Sequence, residues 1–146
     1  MKRDDIIGGA LLLIAIIAIG LFFVFAKSAP ELAYGPVEIT GSAITASAKV
    51  NGEIDVTATL MQPGFVTIHQ SIGSAPGPII GESGYLMAGV DVDTTIILSE
   101  LMTPGLTYIA LLHVDNGDET FVVIDDMPVT SEGKSVRADF NYQTGP

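Results

Sequence analysis

The segment YIALLHVDNGDETFVV places one histidine and three acidic side chains where an apolar run ends. His113 is followed by Asp115, Asp118 and Glu119, with an Asn-Gly pair between the two aspartates. Carboxylate oxygens clustered in a turn suit a hard cation such as Ca²⁺, although this run is too short for the D-x-D-x-D-G loop of about twelve residues. Asn-Gly between apolar runs is also a strong hairpin signal, because both residues tolerate positive φ. We expect a solvated hairpin tip here, with a calcium site as the functional alternative.

The two histidines of the chain, His69 and His113, both fall in predicted strands. Two imidazoles and a carboxylate can hold a transition metal, so a metal-binding or electron-transfer site using His69, His113, Asp115 and Asp118 is an open alternative. The chain has no cysteine, which excludes thiolate zinc sites, an ordinary blue-copper site and a cysteine nucleophile. The simpler interpretation is that each histidine is half-buried and hydrogen-bonded to the backbone, with no cofactor bound.

Catalytic motifs are not found elsewhere in the sequence. GESGY misses the G-x-S-x-G nucleophile elbow, because its second glycine comes one position early. GSAPGPIIG is rich in glycine but lacks the lysine of a phosphate-binding loop. We therefore expect a protein that is not an enzyme.

Short β-rich runs alternate with Pro-Gly and Asn-Gly turn signals from about residue 37 onward. That spacing, with no long helical pattern between the runs, predicts an all-β domain: an antiparallel sandwich, Ig-like in its general architecture. The predicted strands are EITGSAITASAKV, EIDVTATL, GFVTIHQS, PIIG, TTIILSEL, LTYIALLHV, TFVVID and SVRADFNY.

Two of these strands allow sharper predictions. In the first hairpin, a three-residue turn would pair Val50 with Ile54 and Ala48 with Val56, which puts both apolar sets on one face of the sheet. The run LTYIALLHV is apolar on both faces. It is therefore predicted to be a central strand, or one whose outer face meets another protein.

The N-terminal run IIGGALLLIAIIAIGLFFVFA, residues 6–26, contains no charged side chain. As a helix it would span about 31 Å, close to the roughly 30 Å hydrocarbon core of a bilayer. A cleaved signal peptide is the alternative, but its apolar region is usually about 7–15 residues long. Basic Lys2 and Arg3 precede the run, which favours a cytoplasmic N-terminus. The predicted order is a cytoplasmic head (1–5), a transmembrane helix (6–26), a linker (27–36) and an extracellular β-sandwich domain (37–146).

The chain of 146 residues has a formal net charge of −11. A surface this acidic repels phosphate backbones, so nucleic-acid binding is not expected.

Four blocks in order, PGFVTIHQS, GPIIGESGYL, LMTPGLTYIALLHVDNGD and DDMPV, resemble an uncharacterised extracellular domain of archaeal and some bacterial surface proteins. The resemblance runs from about Pro63 to Tyr142. The positions that match the family's motif are Phe65, His69, His113 and Asp115. The resemblance implies a small β-sandwich displayed on the cell surface, often attached to a membrane segment.

The resulting hypothesis is a single-pass cell-membrane protein that presents one β-sandwich outside the cell. Its role is expected to be structural or protein-interacting, with a protein partner or a second copy of itself at the surface. The metal-binding ectodomain is one alternative, and a pilin-like assembly subunit is another.

Overall fold

Ten β-strands form the structure of residues 35–144, the part of the chain that the computed structural model describes. No helix in this range is long and apolar enough to cross a membrane. The predicted transmembrane helix (6–26), the head and most of the linker lie outside the described residues. The strands are β1 (Val37–Glu38), β2 (Ala43–Ala48), β3 (Ile54–Leu60), β4 (Gly64–Ile72), β5 (Ala75–Glu82), β6 (Gly89–Ile96), β7 (Thr107–Val114), β8 (Val129–Ser131), β9 (Lys134–Ser135) and β10 (Arg137–Asn141).

The strands form three sheets. A four-stranded antiparallel sheet has the order β10-β7-β4-β5, and a three-stranded antiparallel sheet has the order β2-β3-β6. In the third sheet, β1 pairs in parallel with β8, which pairs with β9. The all-β prediction is therefore confirmed for the described residues.

One hydrophobic core joins the two larger sheets. Alternate residues of β3, among them Val56, are buried, as the two-residue period of a strand requires. They share a cluster with Ile68 of β4 and Ala110 of β7, which are fully buried. Strand β7 lies between β10 and β4, so the prediction of a central strand is confirmed.

The first hairpin has the predicted face but a different register. Ala48 pairs with Ile54 and Ala46 with Val56, so the apolar sets do share one face. The pairing predicted for Val50 is wrong, because Val50 lies in the loop and is exposed. The loop is longer than expected because the Asn51 side chain accepts a hydrogen bond from the amide of Glu53, and the amide of Lys49 closes the loop on the Glu53 carbonyl.

The prediction of a hairpin at HVDNGDE is also wrong. Strand β7 ends at Val114 and the next strand begins at Val129, so TFVVID is not a strand. Residues 115–128 form a long connection, named here the acidic loop. Its path is set by hydrogen bonds from backbone amides to the side chains of its own aspartates, among them Asp126.

Candidate functional site

The four-stranded sheet has a second buried face, opposite the main core. In the register, Phe65 lies beside His113, Thr67 beside Leu111 and His69 beside Ile109. All six side chains are buried, yet none belongs to the main core cluster. We call this surface the histidine face: Phe65, Thr67, His69, Ile109, Leu111 and His113.

His69 is held on this face by two hydrogen bonds. Its Nδ1 lies 2.7 Å from the carbonyl oxygen of Gly77, and its Nε2 lies 2.8 Å from the hydroxyl of Thr67. A carbonyl only accepts, so Nδ1 carries the proton and Nε2 accepts from the hydroxyl. Burial lowers the pKa of His69, and the Gly77 carbonyl opposes that shift. His69 is therefore a neutral imidazole near pH 7.

The Thr67–His69 pair resembles a hydroxyl nucleophile beside its general base. Thr67 is fully buried, however, and its hydroxyl is closed off from substrate in this conformation. The pair therefore acts as a buried polar link between neighbouring positions of β4.

His113 has one satisfied nitrogen and one unsatisfied nitrogen. Its Nδ1 donates to the carbonyl oxygen of Asp126 at 2.8 Å. Its Nε2 is buried and has no hydrogen-bond partner among residues 35–144. Burial is the main cause that lowers the pKa of His113; His69 adds to this shift, while the carbonyl and carboxylate of Asp126 oppose it.

Asp126 organises the acidic loop from inside. Its carboxylate is fully buried and accepts from the amide of Asn116 at 3.0 Å and from the amide of Val122 at 2.6 Å. A buried carboxylate is tolerated when backbone amides satisfy it in this way. Asp126 thus joins the two sides of the loop, and its own carbonyl joins the loop to His113.

Aromatic rings cover the end of the histidine face that lies next to the acidic loop. The ring of Phe121 lies 5.5 Å from that of Phe65 and 5.3 Å from the imidazole of His113, edge-on to the latter. Tyr85 contacts Phe65 edge-on at 5.9 Å. Partial burial raises the pKa of Tyr85, and the nearby carboxylates of Glu119 and Asp115 raise it further.

The structure places the four predicted metal ligands in two different settings. His69 and His113 share the buried face, whereas Asp115 and Asp118 lie in the acidic loop and accept turn hydrogen bonds from the amides of Glu119 and Thr120. Within residues 35–144, no group of three histidine, aspartate or glutamate side chains is arranged to hold a metal ion. The four-residue metal site stays a prediction, and it would require these side chains to leave their present hydrogen bonds.

Sequence reasoning missed Thr67, Phe121 and Asp126. Thr67 and His69 alternate on a strand whose other face is apolar, and that pattern could have indicated a polar pair on a second buried face. Asp126 carries no such signal, because the exposed Asp125 beside it is the same residue type.

Comparisons with known proteins relate the described domain to one domain family and to two much longer proteins. Residues 42–143 match the family described as Domain of unknown function (DUF7282). The chain is 39% identical over 87 residues to cell surface glycoprotein 1 of Haloarcula hispanica, and 40% identical over 87 residues to cell surface glycoprotein 2 of the same organism. Each match covers 58% of this chain but only 9% of the relative's length. No solved structure matches the chain.

Proposed function

Because the chain belongs to the DUF7282 family, we propose that it presents one β-sandwich domain, Ig-like in general architecture, at the outer surface of the cell. The observation that carries this proposal is the similarity to two proteins that are both named cell surface glycoprotein. Since the similar region is 9% of each relative, the domain is a module that larger surface proteins also contain.

The proposed role is structural or protein-interacting. Support comes from the arrangement of the polar groups that could do chemistry: the Thr67 hydroxyl is fully buried, and the Asp126 carboxylate is occupied by backbone amides. These groups stabilise the domain and the acidic loop. The proposal therefore assigns the chain no catalytic reaction, and its partner is another protein or a second copy of the chain.

The proposed attachment to the cell is the apolar run 6–26, retained as a single transmembrane helix. The head (1–5) would lie in the cytoplasm, and the linker (27–36) would connect the helix to the domain outside. Support comes from the length of the apolar run and from the two basic residues before it.

A matched pair of tagged full-length chains tests location and orientation together. One chain carries a tag at its C-terminus and the other at its N-terminus, and both are produced in Haloarcula hispanica. Intact cells are treated with a protease that does not enter them, and the tags are detected before and after lysis. We expect the C-terminal tag to be lost from intact cells and the N-terminal tag to survive until lysis. Survival of both tags would place the domain inside the cell and refute the proposal.

The intact mass of the membrane-extracted chain tests the anchor separately. We expect a mass that includes residues 1–26 and a chain that stays with the membrane after an alkaline wash. A mature chain that begins at Lys27 would show that the apolar run is a cleaved signal peptide. A chain shortened by only the first few residues would support the pilin-like alternative instead.

A further inference from the structure

His113 and Asp126 together fasten the acidic loop to the histidine face. The Nδ1–H of His113 donates to the Asp126 carbonyl, while the Asp126 carboxylate binds the amides of Asn116 and Val122 on the two sides of the loop. On the same side, Phe121 packs edge-on against the imidazole. We propose that this arrangement is a proton-operated latch: protonation of His113 releases the acidic loop and exposes the aromatic residues beneath it.

The unsatisfied nitrogen of His113 is the reason that a proton would open the latch. In the neutral ring, Nε2 carries a lone pair; in the imidazolium, the same atom carries a hydrogen that needs an acceptor. No acceptor for Nε2 lies within hydrogen-bond distance among residues 35–144, and the residue is only 3% exposed. A buried, unpaired donor with a positive charge is strongly unfavourable, and opening the loop would give it water.

The charged and titratable groups around His113 do not remove this penalty. Charge on His69 of β4 and charge on His113 would disfavour each other, and from the loop only Asp126 favours a positive charge on His113. Neither oxygen of that carboxylate lies within hydrogen-bond distance of Nε2, and the two oxygens bind the amides of Asn116 and Val122 instead.

Strands β5 and β10 and the connection between β5 and β6 add four further groups, Glu82, Arg137, Asp139 and Tyr85. Glu82 of β5 and Arg137 of β10 lie on the same sheet face by register, beside Thr67 and Leu111. Arg137 donates to the carbonyl of Ser74 and pairs with Asp139, so its charge is engaged there. Tyr85 covers the face from the connection between β5 and β6 and is neutral near pH 7.

Linkage gives the direction of the pH dependence. The pKa of His113 is lowered in the closed state relative to its usual value of about 6.5. The open state then binds more protons than the closed state when the pH falls below about 6.5. The closed loop is therefore fully stable above that pH and loses stability as the pH falls toward the lowered value.

Hydrogen exchange of the full chain in detergent micelles measures the opening directly. The protection factors of the amides of Asn116 and Val122 are measured from about pH 7.5 to about pH 5. A protection factor is used because it removes the intrinsic pH dependence of amide exchange. Below about pH 6.5, we expect the protection factors of these two amides to fall by up to about tenfold per pH unit. Tenfold per pH unit is the limit for the uptake of one proton. The amides inside β4 and β7 should keep their protection over the same range.

A pair of variants distinguishes the effect of protonating His113 from that of protonating His69. His113→Asn keeps an N–H donor near the position of Nδ1 but does not titrate, so the loop amides should show the same protection at every pH. His69→Asn is the matched control on the same face, and it should retain the pH-dependent opening. As a second measurement, the imidazole titration of wild-type His113, followed by NMR, must coincide with the loss of loop protection.

Three results would overturn the latch. The first is loop protection in the wild type that does not change with pH, and the second is loss of loop and strand protection together, which would indicate global unfolding. The third is a pH-dependent opening that persists in His113→Asn or disappears in His69→Asn. If His113→Asn does not fold, a mismatch between the His113 titration and the loop opening in the wild type would refute the latch equally well.

Discussion

At the scale of single residues, two neighbouring aspartates have opposite environments. Asp126 is fully buried and accepts two backbone hydrogen bonds through its carboxylate, whereas Asp125 is exposed. The buried residue determines how the acidic loop closes, because its oxygens bind the amides of Asn116 and Val122. The exposed residue adds negative charge without holding the chain in place.

Replacing Asp126 with Asn should destabilise the domain far more than the same change at Asp125. An asparagine side chain presents one oxygen and one NH₂ group, so either the Asn116 or the Val122 amide would face a donor and lose its acceptor. We expect D126N to lower the free energy of unfolding by about 2 kcal/mol. D125N should change it by less than about 0.5 kcal/mol. Thermal unfolding of the two full-length variants measures the difference, and equal melting temperatures would contradict this role of Asp126.

The site was only partly predictable from sequence. His69 and His113 could be identified, because histidines in otherwise apolar strands stand out. The partner of His113 could not be identified, because the carbonyl of Asp126 is a backbone group with no residue signature. Asn116-Gly117 suggested a hairpin since local turn chemistry was the only signal available. In the structure, the buried Asp126 carboxylate outweighs that local preference.

At the scale of strands, the pairing of β4 with β7 leaves no room for a side chain at Gly64. Gly64 pairs with Val114, and a Cβ added at Gly64 would overlap the carbonyl oxygen of His113. The backbone amide and carbonyl of Gly64 also form hydrogen bonds with the backbone carbonyl and amide of Leu86. A side chain here would therefore push apart the strands that carry both histidines.

Gly64→Ala should consequently destabilise the fold by at least about 2 kcal/mol, because the obstacle is backbone and cannot rotate away. Gly84→Ala is the matched control, since a Cβ at Gly84 meets nothing within 4 Å. That control should change the free energy of unfolding by less than about 0.5 kcal/mol. Thermal unfolding of both variants decides the question, and a G64A protein as stable as the control would show that the strands can move apart at little cost.

Two outer strands of the sheets carry features that oppose pairing with another chain. Strand β5 contains Pro76 and Pro78, which have no N–H to donate to a neighbouring strand. Strand β6 has an irregular register next to Asp91, whose φ is +53°. Such features are typical of edges protected against aggregation. A protein partner is therefore more compatible with the loops and faces of the domain than with these two edges.

Most of the strands are predictable from the two-residue alternation of apolar side chains, but the predicted run TTIILSEL overlaps β6 only at residues 94–96. The alternation in EITGSAITASAKV predicts one strand, but the structure divides this run into β1 and β2 at Gly41, where φ is +90°. The register of the first hairpin was missed by two positions. A hairpin register depends on the hydrogen bonds of its loop, here those of Lys49, Asn51 and Glu53, and residue alternation does not reveal them.

At the scale of the whole molecule, the dominant feature is uncompensated negative charge. The chain carries 17 acidic and 6 basic residues. Two of the basic side chains, Lys49 and Arg137, already pair with Asp55 at 2.7 Å and with Asp139 at 3.2 Å. The exposed acids of the described domain repel one another, and such self-repulsion destabilises a compact state.

Salt should therefore stabilise the protein, because it shortens the range of this repulsion from about 10 Å at 0.1 M to about 3 Å at 1 M. We expect the melting temperature of the full chain to rise over that range, equally in NaCl and KCl and with or without EDTA.

The variant D115N/D118N/E119Q changes the net charge from −11 to −8 and should show a weaker salt dependence. It retains oxygen atoms that can accept the turn hydrogen bonds of Asp115 and Asp118. Lys134→Gln is the control in the opposite direction: it makes the net charge more negative and should strengthen the dependence. Identical salt slopes in both variants would rule out general charge repulsion, and stabilisation by Ca²⁺ that only the triple variant lacks would establish a cation site in the acidic loop.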